Sequence, residues 1–576
     1  MRPAQPPFAP LLGLAMALAV TALSACGSGR IEGRDPGDAD ETDEEPDLTD
    51  LVYEIDHLMA VEITMDPDDW DTLRNETRTL ADTIASPTCQ DEPFANPFHW
   101  FEAAVTVDGQ EFDRVEVRKK GFLGSMNERK PSLKLDLGEF DDTLNLHGVR
   151  RITLNNSVSD PSLLRQCVAY AAFNDAGVPA PRCSMATVSV NGVDKGVFAN
   201  IEPVKEPFLA RTFGDDAGNL YEGTLSDFRD GWTGSFDKKT NEEADDWADI
   251  QRLVTALEAD DDALLDALEP VVDVDAFLTF WAMEIMVKHV DGYAWNTNNY
   301  YIYADPKDGR FRFIPWGVDA VFYSFETGQG APPETVYAFS ALTNRLYAHP
   351  EGREMYLDRL DSLLEGSWNE DENARRINVL RDTIEPALGG SEWLEVNRQI
   401  DALEDILAER RGDIDSERDR GEVEWPYGMR DTFCMEPSGN LTASFETTWG
   451  SVQDQDAFAY GDASIDVVWE DDVWPTLDAS AVAGAAEEEA VLYLPVWTSE
   501  TTAYLVYAVL PESDFVPGVI ELDMDRATGA IFYLDADISD DWTVAAYILG
   551  TLTFDQAGTD YGDVLTGDFE GELLAW

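Results

Sequence analysis

The sequence predicts an α+β protein in three parts: a small sheet with one helix, a helical middle, and an all-β region at the C-terminus. Short segments of alternating apolar and polar residues fill much of 51–201, as half-buried strands do. Helical spacing of apolar residues dominates 259–411, and the alternating pattern returns after about residue 419. A chain of 576 residues is long enough for two to four domains.

The chain is strongly acidic. It has 114 Asp and Glu residues against 40 Lys and Arg residues, which gives a formal net charge of −74. A surface of that charge repels phosphate backbones, so the composition argues against nucleic-acid binding. It favours cationic partners, which include divalent metals and basic proteins. Hydrophobic residues make up 44% of the chain, so a sizeable core is possible.

The N-terminus has the pattern of a secretion signal. Arg2 precedes an apolar run over 11–23 that is too short to remain as a transmembrane helix. The tetrapeptide Leu-Ser-Ala-Cys that ends at Cys26 resembles a bacterial lipobox; the alternative is an ordinary signal peptide with an incidental cysteine. The resemblance implies that residues 1–26 are a lipoprotein signal and that Cys26 is lipidated. Gly27 behind the cysteine favours sorting to the outer membrane of the cell envelope.

Residues 27–50 are rich in Asp, Glu, Gly and Pro, and like charges keep such a segment extended, so it is predicted to be a disordered tether. No later segment reaches about 18 uninterrupted apolar residues, so the lipid anchor is the expected membrane contact.

Four cysteines follow Cys26, and they allow three pairings. An oxidising compartment makes one or two disulfides plausible, and the pair Cys167–Cys183 is favoured because it joins a predicted helix to the next strand. No Cys-x-x-Cys motif exists and there are only five histidines, which argues against a metal cluster.

The predicted elements follow the three parts of the chain. Strands are expected at 51–65, 101–107, 112–119, 131–137, 186–190 and 196–201, with one helix over 160–175. The middle is expected to hold helices at 259–290, 338–365, 369–388 and 392–411, and two strands at 300–303 and 310–315. Seven strands at 445–452, 463–469, 490–497, 502–510, 518–524, 529–533 and 542–554 suggest a β-sandwich.

A small sheet followed by a helical half is the layout of a two-lobed, nucleotide-dependent phosphotransferase. Phosphoryl transfer needs a glycine turn and cations at the phosphates, an acid that orients the acceptor hydroxyl, and oxygen ligands for a metal. The residues that the sequence offers for these roles are Arg118, Gly121, Gly124, Lys130, Lys134, Asp291, Asn299 and Asp319. Taken singly, such residues are most often turn, cap or surface residues, and only their joint order indicates a site.

Four blocks of the sequence resemble the CotH family, which are atypical kinases named for a bacterial spore-coat protein. The blocks are 117–135, 163–179, 188–204 and 289–322. The last is the most specific, with its Asn-Asn-Tyr-Tyr-x-Tyr strand, Asp-Gly turn and Ile-Pro-Trp-x-x-Asp ending. The resemblance covers roughly residues 51–411 and does not extend to the C-terminal β region.

The resemblance implies a two-lobed atypical protein-kinase-like domain over 51–415, with an N-lobe at about 51–205 and a C-lobe at about 206–415. The β-rich, sandwich-like domain would then occupy 425–576. By position, Asp291 resembles the catalytic-loop acid, and Asn299 and Asp319 resemble the metal ligands.

The nucleotide would be held by residues of the first lobe. Lys134, with Lys130 close behind, is the choice for the phosphate-pairing lysine, next to the turn of Arg118, Gly121 and Gly124. Glu202 lies where the adenine-contacting hinge is expected.

Two departures from the family pattern bear on activity. The family usually reads Pro-Trp-Asp-x-Asp, but Gly317 replaces the first acid here. The helix at 160–175 also lacks a Glu to pair with the lysine and offers Arg165 and Gln166 instead.

The sequence therefore supports two readings. The first is a secreted, membrane-anchored kinase that uses ATP with Mg²⁺ or Mn²⁺ to phosphorylate Ser or Thr of surface or extracellular proteins, basic ones among them. The alternative is a catalytically inactive CotH-like surface lipoprotein with a binding or structural role.

Overall fold

The structure of the protein is a computed structural model that describes residues 48–244, 246–323, 332–453, 461–470, 472–486, 489–524, 526–536 and 542–576. The predicted signal peptide, Cys26 and most of the predicted tether lie outside the described residues. The last tether residues do not continue it, because Leu48–Tyr53 forms a 3₁₀ helix. Val52 in that helix is buried, and its carbonyl accepts hydrogen bonds from Ser184 and Asn200.

The described part of the chain contains eleven α-helices. They are α1 Pro67–Asn75, α2 Arg165–Asp175, α3 Glu206–Phe213, α4 Ala248–Leu257, α5 Leu264–Leu268, α6 Val274–Met286, α7 Tyr293–Asn296, α8 Ala341–Ala348, α9 Pro350–Glu365, α10 Glu370–Ile384 and α11 Gly390–Arg418.

The described strands fall into three sheets. In chain order they are β1 Leu58–Met65, β2 Trp100–Val107, β3 Gln110–Lys120, β4 Ser132–Asp136, β5 Arg151–Asn155, β6 Cys183–Val190, β7 Val193–Ile201, β8 Asn219–Gly223, β9 Asp237–Lys238, β10 Tyr300–Ala304, β11 Phe311–Pro315, β12 Glu436–Thr448, β13 Asp462–Trp469, β14 Asp472–Val473, β15 Asp478–Ala479, β16 Val482–Ala486, β17 Glu489–Trp497, β18 Thr502–Leu510, β19 Gly518–Leu522, β20 Thr528–Asp535, β21 Thr543–Gln556 and β22 Val564–Ala575.

The sequence predicts a small antiparallel sheet here, and the first seven strands form a closed barrel with one parallel pair. The strand order is β1-β2-β3-β4-β5-β7-β6, and β1 closes it by pairing in parallel with β6. Alternate residues of β1 point into the barrel, where Val61 and Ile63 are buried. Strand β6 lies about 125 residues after β1, and a parallel pair at that distance has no turn between its strands that a sequence pattern could reveal. The alternating pattern therefore predicts β1 itself but not the pairing that closes the barrel.

Strands β3 and β4 present cations on the outer face of the barrel. Val115 and Val117 are buried in its core, and the opposite face carries Arg118 and Lys120. Arg118 lies directly across from Lys134 of β4. The alternation of side chains along a strand therefore places these three cations together.

The helical part is built on α6, which the sequence correctly predicts to be buried. Trp281 is fully buried, stacks on Tyr356 of α9 with ring centroids 3.8 Å apart, and donates its indole N–H to the Tyr337 carbonyl. The predicted helices at 259–290 and 338–365 are divided into shorter helices, whereas the one predicted at 392–411 is longer, Gly390–Arg418. Asp273 starts α6 anew by accepting a hydrogen bond from the Ala276 amide, and Pro350 separates α8 from α9 because proline takes the first position of a helix.

A four-stranded sheet of order β11-β10-β8-β9 lies against α6. Strands β10 and β11 confirm the predicted strand pair at 300–303 and 310–315. Strand β8, which the sequence analysis missed, pairs with β10 from the other side, with Glu222 opposite Tyr301.

The C-terminal strands join one sheet of eleven strands among the described residues, with the main path β14-β13-β12-β22-β21-β20-β18-β17-β15. The all-β character is as predicted. The hydrogen bonds connect all of these strands into one sheet, and the sandwich-like arrangement stays a prediction. The irregular segment 419–435 separates α11 from β12.

Two disulfides tie the chain together. Cys167–Cys183 confirms the predicted pairing of helix and strand, and Cys89–Cys434 joins the segment before the barrel hairpin to the segment before β12. Across the described ranges, no helix is both long and apolar enough to cross a bilayer.

Candidate active site

The loop after α6 is fixed by two buried side chains. Glu284, fully buried in α6, accepts hydrogen bonds from the amides of Tyr293 and Ala294, both at 2.8 Å, at the start of α7. Arg410 of α11, also fully buried, donates to the carbonyls of Ile285 and Met286 at the end of α6. A cation at a helix C-terminus and an anion at a helix N-terminus both match the helix dipoles, so the loop between the helices has a fixed position.

Asp291 lies in this loop and accepts hydrogen bonds from three asparagine amides. Its Oδ1 accepts from Asn296 at 2.5 Å and from Asn298 at 3.1 Å, and its Oδ2 accepts from Asn299 at 2.6 Å. A carboxylate oxygen has about two acceptor positions. The Oδ1 atom is therefore fully used, whereas Oδ2 keeps one position for a further donor such as an alcohol O–H.

Asn299 connects Asp291 to the end of the following hairpin. Its φ of 54° is in the left-handed region, which asparagine tolerates better than most residues. Its Nδ2 donates to Asp291, so Oδ1 is the atom of this amide that can accept a hydrogen bond or bind a metal. A Cβ placed on Gly317 would lie 2.4 Å from that Oδ1, and Gly317 itself has a φ of 54°. The side chain of Asn299 thus occupies the space that the first acid of the family pattern would need.

Asp319 follows strand β11 by four residues. Burial raises the pKa of its carboxyl group to about 6, against the opposing effect of Lys120, while Asp291 and Asp160 raise the pKa further. Those interactions show that Asp319, Asp291 and Lys120 lie close to one another, and the region that these three residues share is called the cleft. A desolvated carboxyl group between acids is one that a cation would stabilise.

The donors fit a magnesium–nucleotide complex better than a free metal ion. Asn299 Oδ1 and the Asp319 carboxylate are hard oxygen donors, which Mg²⁺ prefers. Nowhere in the described ranges do three His, Cys, Asp or Glu side chains form a group that could hold a metal ion by themselves. Mg²⁺ in nucleotide sites commonly uses one or two protein oxygens together with substrate phosphates, so this small donor set is compatible with it.

The cations of the barrel face the same cleft. Burial lowers the pKa of Lys134 to about 7, with the neighbouring Lys120 and Arg118 lowering the pKa as well. The carboxylate that opposes them is Glu222 of β8, whose pKa is lowered to about 2 by Lys239 and Lys134 against the effect of burial. Glu222 also forms an ion pair with Lys239 at 2.6 Å. The cleft therefore holds more positive than negative charge at this end.

The predicted glycine turn is present beside these cations. Gly121 and Gly124 have φ values of 147° and 84°, where a side chain would be strained. Ser125 closes the turn, because its Oγ accepts from the Phe122 amide and donates to the Phe122 carbonyl. The ring of Phe122 packs against Phe94, with centroids 5.4 Å apart.

Two predicted nucleotide-binding side chains have structural partners. The Nζ of Lys130 donates to the Val197 carbonyl at 2.7 Å, and the buried Glu202 carboxylate accepts from Arg182 and Arg211, both at 2.7 Å. Their predicted contacts with nucleotide stay predictions, but the structure favours Lys134 over Lys130 as the cation of the cleft.

Helix α2 provides a cation where a kinase-like helix would carry Glu. Arg165 donates to the Val321 carbonyl at 3.0 Å, lies over the ring of Tyr323 at 3.7 Å, and is 3.5 Å from the buried Asp160. It therefore holds the chain just after Asp319. The carboxylate near Lys134 comes instead from Glu222, which the sequence analysis missed because a single Glu in a short strand has no distinguishing pattern.

Comparison with known proteins agrees with the motifs. The family model described as "CotH kinase protein" matches residues 117–411. The inner spore coat protein H of Bacillus subtilis (strain 168) is 28% identical over 253 residues, which are 42% of this chain and 69% of that protein. The inner spore coat protein H-like protein of the same organism is 39% identical over 69 residues, 12% of this chain and 22% of that protein.

Among solved structures, the crystal structure of the Helicobacter pylori proinflammatory kinase CtkA aligns with 55% of this chain and 93% of its own chain, at 9% identity and a TM-score of 0.21. The family match begins within β3 and ends within α11, so it contains Asp291, Asn299, Asp319 and Lys134. Because that match covers more than half of the chain, the protein belongs to the CotH kinase family.

Proposed function

We propose that this protein is an ATP-dependent protein kinase whose active site is the cleft between the barrel and the α6–α7 loop. The observation that carries the proposal is the joint arrangement of Asp291, Asn299 and Asp319 opposite Lys134 and Lys120. A phosphotransferase needs an acid for the acceptor, oxygen donors for the metal and cations for the phosphates. The arrangement of these residues supports the proposal because it offers groups suited to each of the three roles.

The contacts of each residue suggest its role in phosphate transfer. Asp291 Oδ2, with one acceptor position left, orients a Ser or Thr hydroxyl for in-line attack on the γ-phosphate. Asn299 fixes Asp291 through its Nδ2 and offers Oδ1, with Asp319, to a divalent cation. Mg²⁺ or Mn²⁺ would supply charge neutralisation at the phosphates when bound with ATP. Lys134 and Arg118 balance the remaining phosphate charge.

The proposed cellular location rests on the N-terminal sequence. We propose that Cys26 carries the lipid anchor and that the kinase works in the cell envelope, at the outer membrane. The net charge of −74 favours basic proteins as acceptors, because opposite charges steer association.

Gly317 supports a second candidate, a catalytically inactive surface binding protein. The family pattern has an acid at this position, and here the Asn299 side chain fills the space that the acid would need. If that acid is essential for metal binding, the protein transfers no phosphate and keeps the fold for a binding or structural role.

A phosphate-transfer assay separates the two functions. The chain from Gly27 onward is incubated with γ-labelled ATP, Mg²⁺ or Mn²⁺, and basic test proteins. A kinase labels itself or a test protein, and Asp291→Asn, which keeps size but removes the charge, lowers the rate about 10²- to 10⁴-fold. The matched control is Asp113→Asn, an exposed acid on the barrel strand β3, which leaves the rate unchanged. ATP binding by the wild type without any transfer supports the binding protein instead.

A further inference from the structure

Arg78 is a buried cation that the sequence analysis did not single out. Its side chain belongs to the irregular segment that joins α1 to β2, and the residue is only 7% exposed. Its guanidinium lies over the ring of Phe122, 4.9 Å from the centroid, and Phe122 is part of the glycine turn. Its Nε is buried without a hydrogen-bond partner among the described residues.

The surroundings of Arg78 leave its charge poorly balanced. Burial lowers the pKa of Arg78, opposed by the charges of Asp82 and Glu222. Glu222 is the same carboxylate that faces Lys134 and Arg118, and the Nε of Arg118 is also buried without a partner. A buried guanidinium whose Nε lacks a hydrogen-bond partner is costly, and an anion that accepts from it would remove that cost.

The segment that carries Arg78 is held in place from both ends. At its start, the buried Lys119 of β3 donates to the carbonyls of Arg74 and Glu76. Further along, Cys89 is bonded to Cys434.

A backbone hydrogen bond also holds the same segment, because the amide of Met435 donates to the Ile84 carbonyl at 2.7 Å. Neither this segment nor its disulfide partner lies in the family match over 117–411. The segment of Arg78 is therefore held by Lys119, which lies inside that match, and by contacts with residues 434 and 435, which lie outside it.

We propose that Arg78 is an additional phosphate-binding residue, which the disulfide-linked segment holds against the glycine turn to bind the phosphate chain of the nucleotide. The inference rests on the proposed function for the identity of the ligand, but the anion site itself can be tested apart from it. A guanidinium can donate two hydrogen bonds to one phosphate, which a lysine cannot do.

The experiment measures the binding of two probes, ATP with Mg²⁺ and inorganic tripolyphosphate, by calorimetry. Three proteins are compared: the wild type, Arg78→Gln, and the control Arg114→Gln. Arg114 lies on the same barrel but is 57% exposed and paired with Glu102, so its removal changes the net charge equally. Arg78→Gln is expected to lower the affinity for both probes about tenfold to a hundredfold, and Arg114→Gln to leave both affinities unchanged.

The thermal midpoint distinguishes a binding role from a structural one. Removing an unpaired buried charge should leave the midpoint of the free Arg78→Gln protein unchanged or higher. If Arg78 only supports Phe122 by packing, the midpoint falls and both affinities stay at the wild-type values, which overturns the inference. Arg78→Lys is the second variant: it keeps the charge and should recover part of the lost affinity.

The two proposals fail in different ways. If the wild type binds ATP and Arg78→Gln binds it equally well, the inference about Arg78 is overturned and the kinase proposal stands. If the wild type binds tripolyphosphate through Arg78 but does not bind ATP, the anion site is supported and the nucleotide assignment fails. If the wild type binds neither probe, both are overturned.

Discussion

Lys134 should make ATP binding depend on pH in the free protein. Its pKa of about 7 arises from burial and from the neighbouring cations Lys120 and Arg118, which together outweigh Glu222. The unfolded chain has an ordinary lysine pKa, so between the two pKa values the folded protein binds fewer protons than the unfolded one. The Lys134 contribution to stability therefore rises with pH across that interval. A bound triphosphate favours the protonated form of Lys134, because its negative charge raises the pKa of that lysine again.

The size of the effect follows from that pKa. At pH 8, about nine in ten free molecules would carry a neutral Lys134, so ATP binding should take up about 0.9 proton. The Kd should rise about tenfold for each pH unit above roughly 7.5, until the pKa of the complex is reached.

The assay is calorimetric titration of ATP with Mg²⁺ in buffers of different ionisation enthalpy at pH 6.5, 8 and 9. The slope of the observed enthalpy against buffer enthalpy gives the number of protons taken up. Lys134→Arg keeps the charge at every pH, so its proton uptake should fall close to zero and its Kd should vary little. Lys130→Arg is the matched control, because burial also lowers the pKa of Lys130, to about 8, but its Nζ is bound to Val197. A wild-type Kd that stays constant from pH 7 to 9, or proton uptake that survives in Lys134→Arg, would refute the reasoning.

Three further outcomes are expected. Gly317→Ala should lower the free energy of unfolding by about 1–3 kcal/mol and weaken Mg²⁺-dependent ATP binding, because the new Cβ meets Asn299 Oδ1. Gly124→Ala is the control for backbone strain in thermal melts, because Gly124 has a positive φ but no atom within 4 Å of its added Cβ. Equal effects of the two substitutions would exclude the contact with Asn299 as the cause. Cys26→Ser should release the protein from the detergent phase or block its processing, and unchanged partitioning would rule out the anchor. Limited proteolysis should cut within 419–435 and give two fragments, which separate only after the Cys89–Cys434 disulfide is reduced. Cuts spread over both halves of the chain would contradict two folded units.

The sequence predicted those site residues that lie close together along the chain. Asp291, Asn299 and Asp319 fall within thirty residues, and the hairpin of β10 and β11 that connects them has clear strand and turn signals. Local pattern therefore predicted these elements, whereas the roles of the three side chains come from the family resemblance and stay predictions. The same reasoning found the helix–strand disulfide, Cys167–Cys183, whose cysteines lie 16 residues apart on consecutive elements.

The residues that the sequence did not predict come from distant segments. Glu222 reaches Lys134 because β8 pairs with β10, and Arg78 reaches the glycine turn because its segment is bonded to Cys434. Neither contact has a periodic signal, since each depends on tertiary packing between elements far apart in the chain. The closed barrel was missed for the same reason, because the parallel pairing of β1 with β6 cannot be read from local alternation.

The most direct test of the central claim, that this cleft binds a metal–nucleotide complex, is calorimetric titration of ATP with and without Mg²⁺ on the wild type and on Asp319→Asn. We expect one ATP site in the wild type that needs Mg²⁺, and a loss of about 10- to 100-fold in affinity in the variant, because Asn keeps the shape of the side chain but removes the charge that faces the metal. ATP binding that is the same with and without Mg²⁺, or that is unaffected by Asp319→Asn, would contradict the assignment of the cleft.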